Sequence, residues 1–391
     1  MTPRRLAVVL IFLVLAAGVF AGAHLYLAQR LLEGPDLPQP WRGLGRALIA
    51  GLALCVVAEP AAQRWLPRRL ARGIAWPASL WMGTAFLLFV SLLAADALFA
   101  LAGGAAWAAG FGPARGEALA RGRALFALAL AGAAAALALR GGLRAPALRR
   151  VELRLPRWPR ALDGFRVAQI SDLHIGPLLG RDFLARVVER VNALGADLVA
   201  VTGDLVDGPV ARLREEVAPL ADLRGRLGVF FVTGNHDHLS GAGGWVARVE
   251  ELGLRVLRNE RVSLGAGEAG FDLIGVDDHR GDLFGGEGGE DLGRALAGRD
   301  GARFGLLLAH DPSTFREAAR RGIDLQLSGH THGGQIWPFR HLVRLVVPWV
   351  DGHHRAGPAQ LYVSRGTGFW GPAMRLLAPA EITELVLKSG G

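Results

Sequence analysis

The chain has 391 residues, of which 51% are hydrophobic, and a formal net charge of +9. Its single cysteine, Cys55, excludes a disulfide within one chain, and its place in an apolar stretch excludes a thiolate metal site or a cysteine nucleophile. Residues 1–150 carry 16 arginines and five acids whereas the remainder carries 28 basic and 30 acidic residues, so the positive charge points to membrane-flanking loops and anionic lipid rather than to a nucleic-acid groove.

The first part of the chain is a membrane region by composition. Four apolar stretches stand out in residues 1–145, at about 6–28, 43–62, 76–102 and 122–139. Each approaches or exceeds the roughly 20 residues with which a helix crosses a bilayer, and a cleavable signal peptide would explain only the first. We therefore predict an N-terminal all-α transmembrane region with four helices. A fifth span or a re-entrant turn before Phe111 stays open, because the third stretch runs on into further small and apolar residues.

Arginine placement predicts the orientation of these helices. Arginines are concentrated before the first stretch, between the second and third, and after the fourth. The positive-inside rule then places both termini, and with them the second half of the chain, in the cytoplasm of a multi-pass inner-membrane protein. An odd number of spans would reverse that side.

Two acids lie in the apolar half. An intramembrane acid is a candidate functional residue by default. Glu59 precedes Pro60 and fits an interfacial position, and for Asp96 packing or interfacial placement is favoured over ion transport. Anchoring is therefore the predicted role of this half, with a transporter or sensor as the third class of hypothesis.

Residues 146–391 read as a layered α/β domain. Short runs rich in Val, Leu and Ile, typical of strands buried on both faces, alternate with helical stretches. Arg149 to Leu155 alternates as an edge strand would, and the later segments suggest a second sheet. The predicted strands are 167–171, 198–202, 229–233, 305–309 and 325–328, with 260–265, 271–276, 360–364 and 381–387 in the second sheet, and the predicted helices are 181–194, 211–224, 243–252 and 313–321.

Polar side chains follow five of these strands. Carboxyl ends of strands are where open α/β sheets build their sites. Carboxylates, an amide and imidazoles are the oxygen and nitrogen ligands that two adjacent divalent metals require for hydrolysing phosphate esters. The five motifs are Asp172-Leu173-His174, Gly203-Asp204, Gly234-Asn235-His236-Asp237, His310 and Gly329-His330-Thr331-His332.

With these motifs the chain resembles the calcineurin-like metallophosphoesterases, whose pattern runs D-x-H, G-D, G-N-H-[D/E], H and G-H-x-H. The resemblance covers residues 148–391 and implies an αββα two-sheet sandwich. It also implies that Asp172, His174 and His332 hold one metal, that Asn235, His310 and His330 hold the other, and that Asp204 bridges them. The segments 170–174, 333–336 and 362–366 look like a bacterial membrane-associated branch.

Such a site has a defined chemistry. Two carboxylates against two divalent cations leave it net positive, which attracts a phosphate group. Metals about 3.5 to 4 Å apart would share a water, lower its pKa and direct the resulting hydroxide at phosphorus. The ligand set accommodates manganese, iron or zinc.

His236 and Asp237 are the predicted catalytic residues. His236 follows a ligand without being one in the family pattern, so its imidazole can protonate the leaving oxygen or stabilise charge on the transferring phosphoryl group. Asp237 either accepts a hydrogen bond from the other ring nitrogen of His236 or caps a helix. Asp207 fits a supporting or turn role better than a metal role, and exposed loop positions are favoured over substrate contact for His353 and His354.

The expected function is a membrane-anchored, metal-dependent phosphohydrolase, with a phosphodiesterase favoured. A lipid-linked phosphodiester or pyrophosphate suits the anchor. The alternatives are a soluble-nucleotide phosphodiesterase or a phosphomonoesterase that is merely localised to the membrane, and a non-catalytic metal-binding regulatory domain.

Two loops of the second half differ in composition. Gly281 to Gly289 reads as a flexible surface insertion because it offers little apolar surface to bury. Ile336 to Val350 is apolar, and core packing is favoured over an apolar lip that accepts an acyl chain or touches the bilayer.

Overall fold

The computed structural model describes residues 3–108, 116–281 and 288–390. It divides into two compact units, one formed by Met1–Ala62 and Gly73–Ala138, the other by Gln63–Arg72 and Leu139–Gly391. The short segment Gln63–Arg72, which connects two apolar helices, therefore belongs with the C-terminal part of the chain.

The first unit is built from long apolar helices. In the described residues, four helical segments are long and apolar enough to cross a membrane: Leu13–Glu33, Trp41–Trp65, Arg68–Gly104 and Glu117–Leu143. The helices themselves are α1 Pro3–Ala28, α2 Trp41–Trp65, α3 Arg68–Ala108 and α4 Glu117–Leu143. The predicted number of stretches is thus found, while the suggested fifth span reaches into 109–115, which lie outside the described residues.

Asp96 is neutralised by neighbouring helices of the same unit. Its carboxylate pairs with Arg30 and lies 3.6 Å from Arg123 Nη1, and Tyr26 donates a hydrogen bond to it at 3.0 Å. Buried or half-buried acids in apolar surroundings persist when they are paired. The arrangement favours the structural interpretation of Asp96.

The second unit contains two six-stranded sheets. The first has the order β1-β12-β2-β3-β4-β5 and the second β10-β11-β9-β8-β7-β6. The strands are β1 Ala147–Leu155, β2 Phe165–Ile170, β3 Leu198–Thr202, β4 Val229–Val232, β5 Arg255–Val256, β6 Glu260–Leu264, β7 Phe271–Gly275, β8 Phe304–Leu308, β9 Leu325–Ser328, β10 Gly352–Ala356, β11 Ala359–Val363 and β12 Glu381–Ser389.

The core of this unit lies in layers. Residues from both sheets, among them Trp158, Phe230, Phe271 and Leu327, form one apolar cluster between the sheets. Each outer face is covered by helices, since a second cluster joins the first sheet to α5 Arg181–Asn192 and α8 Ala242–Glu251, and a third covers the second sheet. The remaining helices are α6 Val210–Leu213, α7 Asn235–Leu239, α9 Leu292–Leu296, α10 Phe315–Arg320 and α11 Arg340–Val346. The αββα sandwich expected from the resemblance is therefore the observed architecture.

Two predictions of local structure need correction. The segment 381–387 does not belong to the second sheet, because β12 is inserted between β1 and β2, parallel to one and antiparallel to the other. The predicted helix 211–224 is only the short α6 followed by a 3₁₀ turn at Ala218–Asp222. Pro219 explains the break, since proline lacks the amide hydrogen that a continuing helix needs.

The predictions for the segments 336–350 and 281–289 are tested to different extents. In the segment 336–350, Val347 and Val350 are buried, whereas Trp337, Leu345 and Val346 are exposed, so core packing holds for only part of it. Most of the glycine-rich loop, residues 282–287, lies outside the described residues.

Candidate metal centre

The parallel strands bring the five motifs together. Strands β2, β3 and β4 run parallel in one sheet, and β8 and β9 run parallel in the other. The motifs follow the carboxyl ends of these strands, at one edge of the sandwich. Polar residues that are far apart in sequence therefore face each other across a buried space.

The backbone at this edge is held in an unusual conformation. Five of the predicted ligands have a positive φ: Asp172 at 54°, His174 at 45°, Asp204 at 52°, His330 at 72° and His332 at 51°. This left-handed region costs a residue with a side chain roughly 1–2 kcal/mol. Backbone strain clusters where side chains must be aimed at a site, so its concentration here supports a functional centre.

The motif glycines make room for the carboxylates. A Cβ placed on Gly234 would lie 2.2 Å from Asp204 Oδ1, and one on Gly329 would lie 2.3 Å from Asp172 Oδ2. Both distances are far below van der Waals contact. These two positions therefore need glycine because of their neighbours.

One group of side chains contains Asp172, His174 and His332. Their potential ligand atoms all lie within 4.8 Å of one another. His174 Nε2 is 3.1 Å from His332 Nε2, and His332 Nε2 is 3.4 Å from Asp172 Oδ1. All three residues are buried.

A second group contains Asp204, His310 and His330. His330 Nδ1 lies 3.2 Å from His310 Nε2, which is itself 3.1 Å from Asp204 Oδ2. His310 Nδ1 donates to the Thr202 carbonyl at 2.8 Å, so Nε2 is the nitrogen that faces the group.

Asp204 joins the two groups. Its Oδ2 atom lies 3.1 Å from His310 Nε2 and 3.7 Å from His174 Nε2. Its Oδ1 accepts a hydrogen bond from the His236 backbone amide at 2.8 Å. One carboxylate is thus within reach of ring nitrogens from both groups.

The donor set fits divalent cations. Among the described residues, Asp172 Oδ2 and Asn235 Oδ1 are buried oxygens without a hydrogen-bond partner. A buried acceptor left unpaired costs about 1–3 kcal/mol, which a bound cation removes. In each group two imidazole nitrogens also face each other, as they do when aimed at a common ion. Oxygen and imidazole donors suit manganese, iron or zinc.

His236 lies beside the first group and is supported by Asp207. Its Nδ1 is 2.7 Å from Asp207 Oδ1, and Asp207 is also 3.1 Å from His174 Nδ1. The His236 ring meets the rings of His174 and Trp370 edge-on, with centroids 4.8 and 5.4 Å apart. Asp207, His174 and His236 also form a group whose potential ligand atoms lie within 4.8 Å of one another, so the supporting role that the sequence favours for Asp207 stays a prediction.

The proposed hydrogen bond between Asp237 and the His236 ring is wrong. Asp237 Oδ2 accepts from the Gly234 amide at 2.8 Å, and Oδ1 accepts from the Leu205 and Val206 amides. Asp237 therefore caps α7 and fixes the loop after Asp204. The alternative prediction, that Asp237 caps a helix, is therefore correct, but the helix is α7 rather than the predicted helix 243–252.

The charged side chains at the centre shift one another's pKa values. Burial alone would raise the pKa of Asp204, but His310 and His236 hold that pKa well below its usual range. Burial raises the pKa of Asp172, and Asp204 adds to the effect. For His236, burial is outweighed by the carboxylates of Asp204 and Asp207, which raise its pKa to about 9. Such perturbed groups in one cleft are typical of a functional site.

Three contributing residues were missed from the sequence. Arg280 Nη1 lies 3.0 Å from His330 Nε2, Arg375 Nη2 lies 3.1 Å from His332 Nδ1, and Trp370 packs on His236. They come from loops outside the five motifs, and no local pattern singles them out. His353 and His354 lie in strand β10 and not in a loop as predicted. The ring of His353 is paired with Gln360 Oε1, and that of His354 with the Asp351 carbonyl.

Comparison with known proteins agrees with the geometry. The family described as "Calcineurin-like phosphoesterase" matches residues 165–334. The chain is 36% identical over 283 residues to a Danio rerio "Transmembrane protein with metallophosphoesterase domain", covering 70% of this chain and 65% of the relative. It is 37% identical over 252 residues to an "Uncharacterized metallophosphoesterase" of Helicobacter pylori, covering 63% and 65%.

A shorter relative is covered more completely. An "Uncharacterized metallophosphoesterase" of Aquifex aeolicus is 35% identical over 232 residues, covering 58% of this chain and 86% of the relative. The chain spans less than two thirds of the length of the Danio rerio and Helicobacter pylori proteins.

Proposed function

Because this chain belongs to the calcineurin-like metallophosphoesterases, and is by that membership a metal-dependent phosphoesterase, we propose that it is a membrane-anchored phosphodiesterase with two metal ions in one centre. The meeting of two ligand groups at Asp204 carries the proposal. The apolar helices of the first unit would anchor the enzyme, with the catalytic domain on the cytoplasmic face of the inner membrane.

The proposed ligands follow the two groups. Asp172, His174 and His332 would hold one ion, Asn235, His310 and His330 the other, and Asp204 both. Manganese, iron and zinc all suit these donors, and when bound they supply Lewis acidity and an activated water for attack on phosphorus. A phosphate ester is the substrate that such a positive centre attracts.

The side chains around the ligands have separate tasks. Asp207 holds His236 through Nδ1, so Nε2 is the nitrogen that can donate a proton to the leaving oxygen. The His236 amide holds the Asp204 carboxylate in place. The same short helix, α7, therefore carries His236 and holds Asp204, which fixes the imidazole relative to this ligand.

Metal-dependent hydrolysis tests the proposal. Full-length protein in detergent would be stripped of metal, resupplied with manganese, iron or zinc, and assayed on a chromogenic phosphodiester and the matching monoester, beside His236→Ala. Activity restored by metal, higher on the diester and largely lost in the variant is expected. A folded, metal-loaded protein that hydrolyses neither ester, or prefers the monoester, would contradict the phosphodiesterase assignment.

A further inference from the structure

An exposed apolar surface borders the metal centre. It consists of Trp337, Leu342, Leu345, Val346, Trp370 and Leu377, which we call the apolar rim. Leu345 is 81% exposed, Val346 77% and Leu377 74%. Soluble surfaces rarely gather large apolar side chains in this way, and such patches mark surfaces that bind something.

The rim is one surface although it comes from two segments. Gln335 Nε2 donates to the carbonyls of Trp370 and Pro372 at 2.8 and 2.9 Å. The Trp337 amide donates to the Leu376 carbonyl at 3.1 Å, next to Leu377. These bonds join the α11 side of the rim to the loop 368–378.

The rim reaches the catalytic residues. Trp370 is half exposed, yet its ring packs edge-on against His236. The same loop donates its Gly368 amide to the Asp172 carbonyl at 2.9 Å. The loop that carries Trp370 therefore contacts both His236 and the backbone of Asp172, so the rim begins beside two residues of the metal centre.

The end of the last candidate span packs against the same loop. A Cβ on Gly141 would lie 2.2 Å from the Arg375 carbonyl oxygen, and one on Gly142 would lie 2.4 Å from that of Ala373. Residues 139–143 belong to the same compact unit as the loop. The last residues of the apolar helix Glu117–Leu143 therefore contact the loop that carries part of the rim.

The chemistry of the rim fits a lipid surface. Tryptophan is enriched at membrane interfaces. Helix α11 carries the exposed Arg344 among apolar residues, whereas Arg340 is paired with Asp351. Arginine can lay its stem along apolar groups while its guanidinium meets lipid phosphates.

We propose that the apolar rim inserts into the bilayer and that the enzyme hydrolyses phosphate esters or pyrophosphates carried by membrane lipids. The lipid tail stays in the bilayer along the rim while the phosphate enters the metal centre. Water then gives its oxygen to phosphorus, the bond to the leaving oxygen breaks, and that oxygen takes up a proton. This substrate class rests on the proposed phosphohydrolase function, whereas insertion of the rim does not.

Insertion is tested without measuring activity. In a Cys55→Ser background, Leu345→Cys would carry a polarity-sensitive fluorophore, with full-length protein reconstituted in nanodiscs of zwitterionic and anionic lipid. Ala302→Cys is the matched control, because Ala302 is exposed and precedes β8, at the strand end opposite the motifs. Quenching by spin-labelled lipid at position 345 but not at 302 is expected. Equal quenching at both positions would overturn insertion and leave a protein partner as the occupant of the rim.

The substrate class is tested by comparing turnover of a lipid diester with turnover of a soluble diester in two double variants. Leu345→Glu with Val346→Glu places two charges on the rim, and Ala297→Glu with Ala302→Glu places the same charge elsewhere on exposed positions. The rim variant should lose at least about tenfold in kcat/KM on a phospholipid diester in vesicles and keep its turnover of a soluble chromogenic diester. Equal losses on both substrates would overturn the lipid assignment, while absence of turnover in the unmodified protein would instead refute the proposed function.

Discussion

Asp207 Oδ1 lies 2.7 Å from His236 Nδ1, and the same carboxylate lies 3.1 Å from His174 Nδ1. One acid therefore orients both the proposed proton donor and a proposed metal ligand. Its two histidine partners hold the pKa of Asp207 far below the ordinary range against the opposing effect of burial. The carboxylate can thus support the ligand and the acid as one unit.

Replacing Asp207 should damage metal binding and catalysis together. We expect Asp207→Ala to lower metal affinity and kcat by about 10–100-fold each, as loss of an outer carboxylate does in other metal sites. Isothermal titration and steady-state kinetics measure the two effects. Asp222→Ala, an exposed acid of the same unit, is the control, and an unchanged metal affinity in Asp207→Ala would contradict the shared role.

Replacing Asp237 should act on stability. Asp237→Ala leaves the buried amides of Gly234 and Leu205 without their acceptor, at about 1–3 kcal/mol for an unpaired buried group. Thermal unfolding should show a lower midpoint, and the pH profile of the remaining activity should match that of the unmodified protein. A normal midpoint with a displaced pH profile would restore Asp237 as the partner of the His236 ring.

A single methyl group should disturb the bridging carboxylate. In Gly234→Ala the Cβ would overlap Asp204 Oδ1, and the backbone at φ −107° is otherwise open to alanine. We expect metal content measured by mass spectrometry to fall well below that of the unmodified protein. Gly243→Ala in helix α8 meets nothing within 4 Å and should keep its metal. Full metal content in Gly234→Ala would argue against Asp204 as a ligand.

Asp96 should matter for the helical unit alone. Asp96→Ala leaves Arg30 and Arg123 without their carboxylate, which destabilises half-buried charges. Unfolding in detergent should begin at a temperature several degrees lower, while metal-restored hydrolysis of a soluble diester persists. Loss of hydrolysis at unchanged stability would show that this half does more than anchor.

The sequence predicts this molecule best where chemistry is local. Asp172, Asp204 and His330 stand directly after apolar strands, so their convergence follows from parallel pairing at the carboxyl ends. The position of β12 between β1 and β2 could not be predicted, because strands more than 200 positions apart in sequence pair without any pattern in the local sequence. Trp370 and Arg375 were missed for the same reason, since their contacts depend on how a late loop folds back.

A manganese titration tests whether Asp204 joins two metal ions in one site. Metal-stripped full-length protein would be titrated with Mn²⁺ while bound ions are counted and the electron paramagnetic resonance spectrum is recorded. If Asp204 bridges the two ions, we expect two ions per chain and a spin-coupled signal that Asp204→Ala abolishes. A single ion, or two ions without coupling in the unmodified protein, would contradict it.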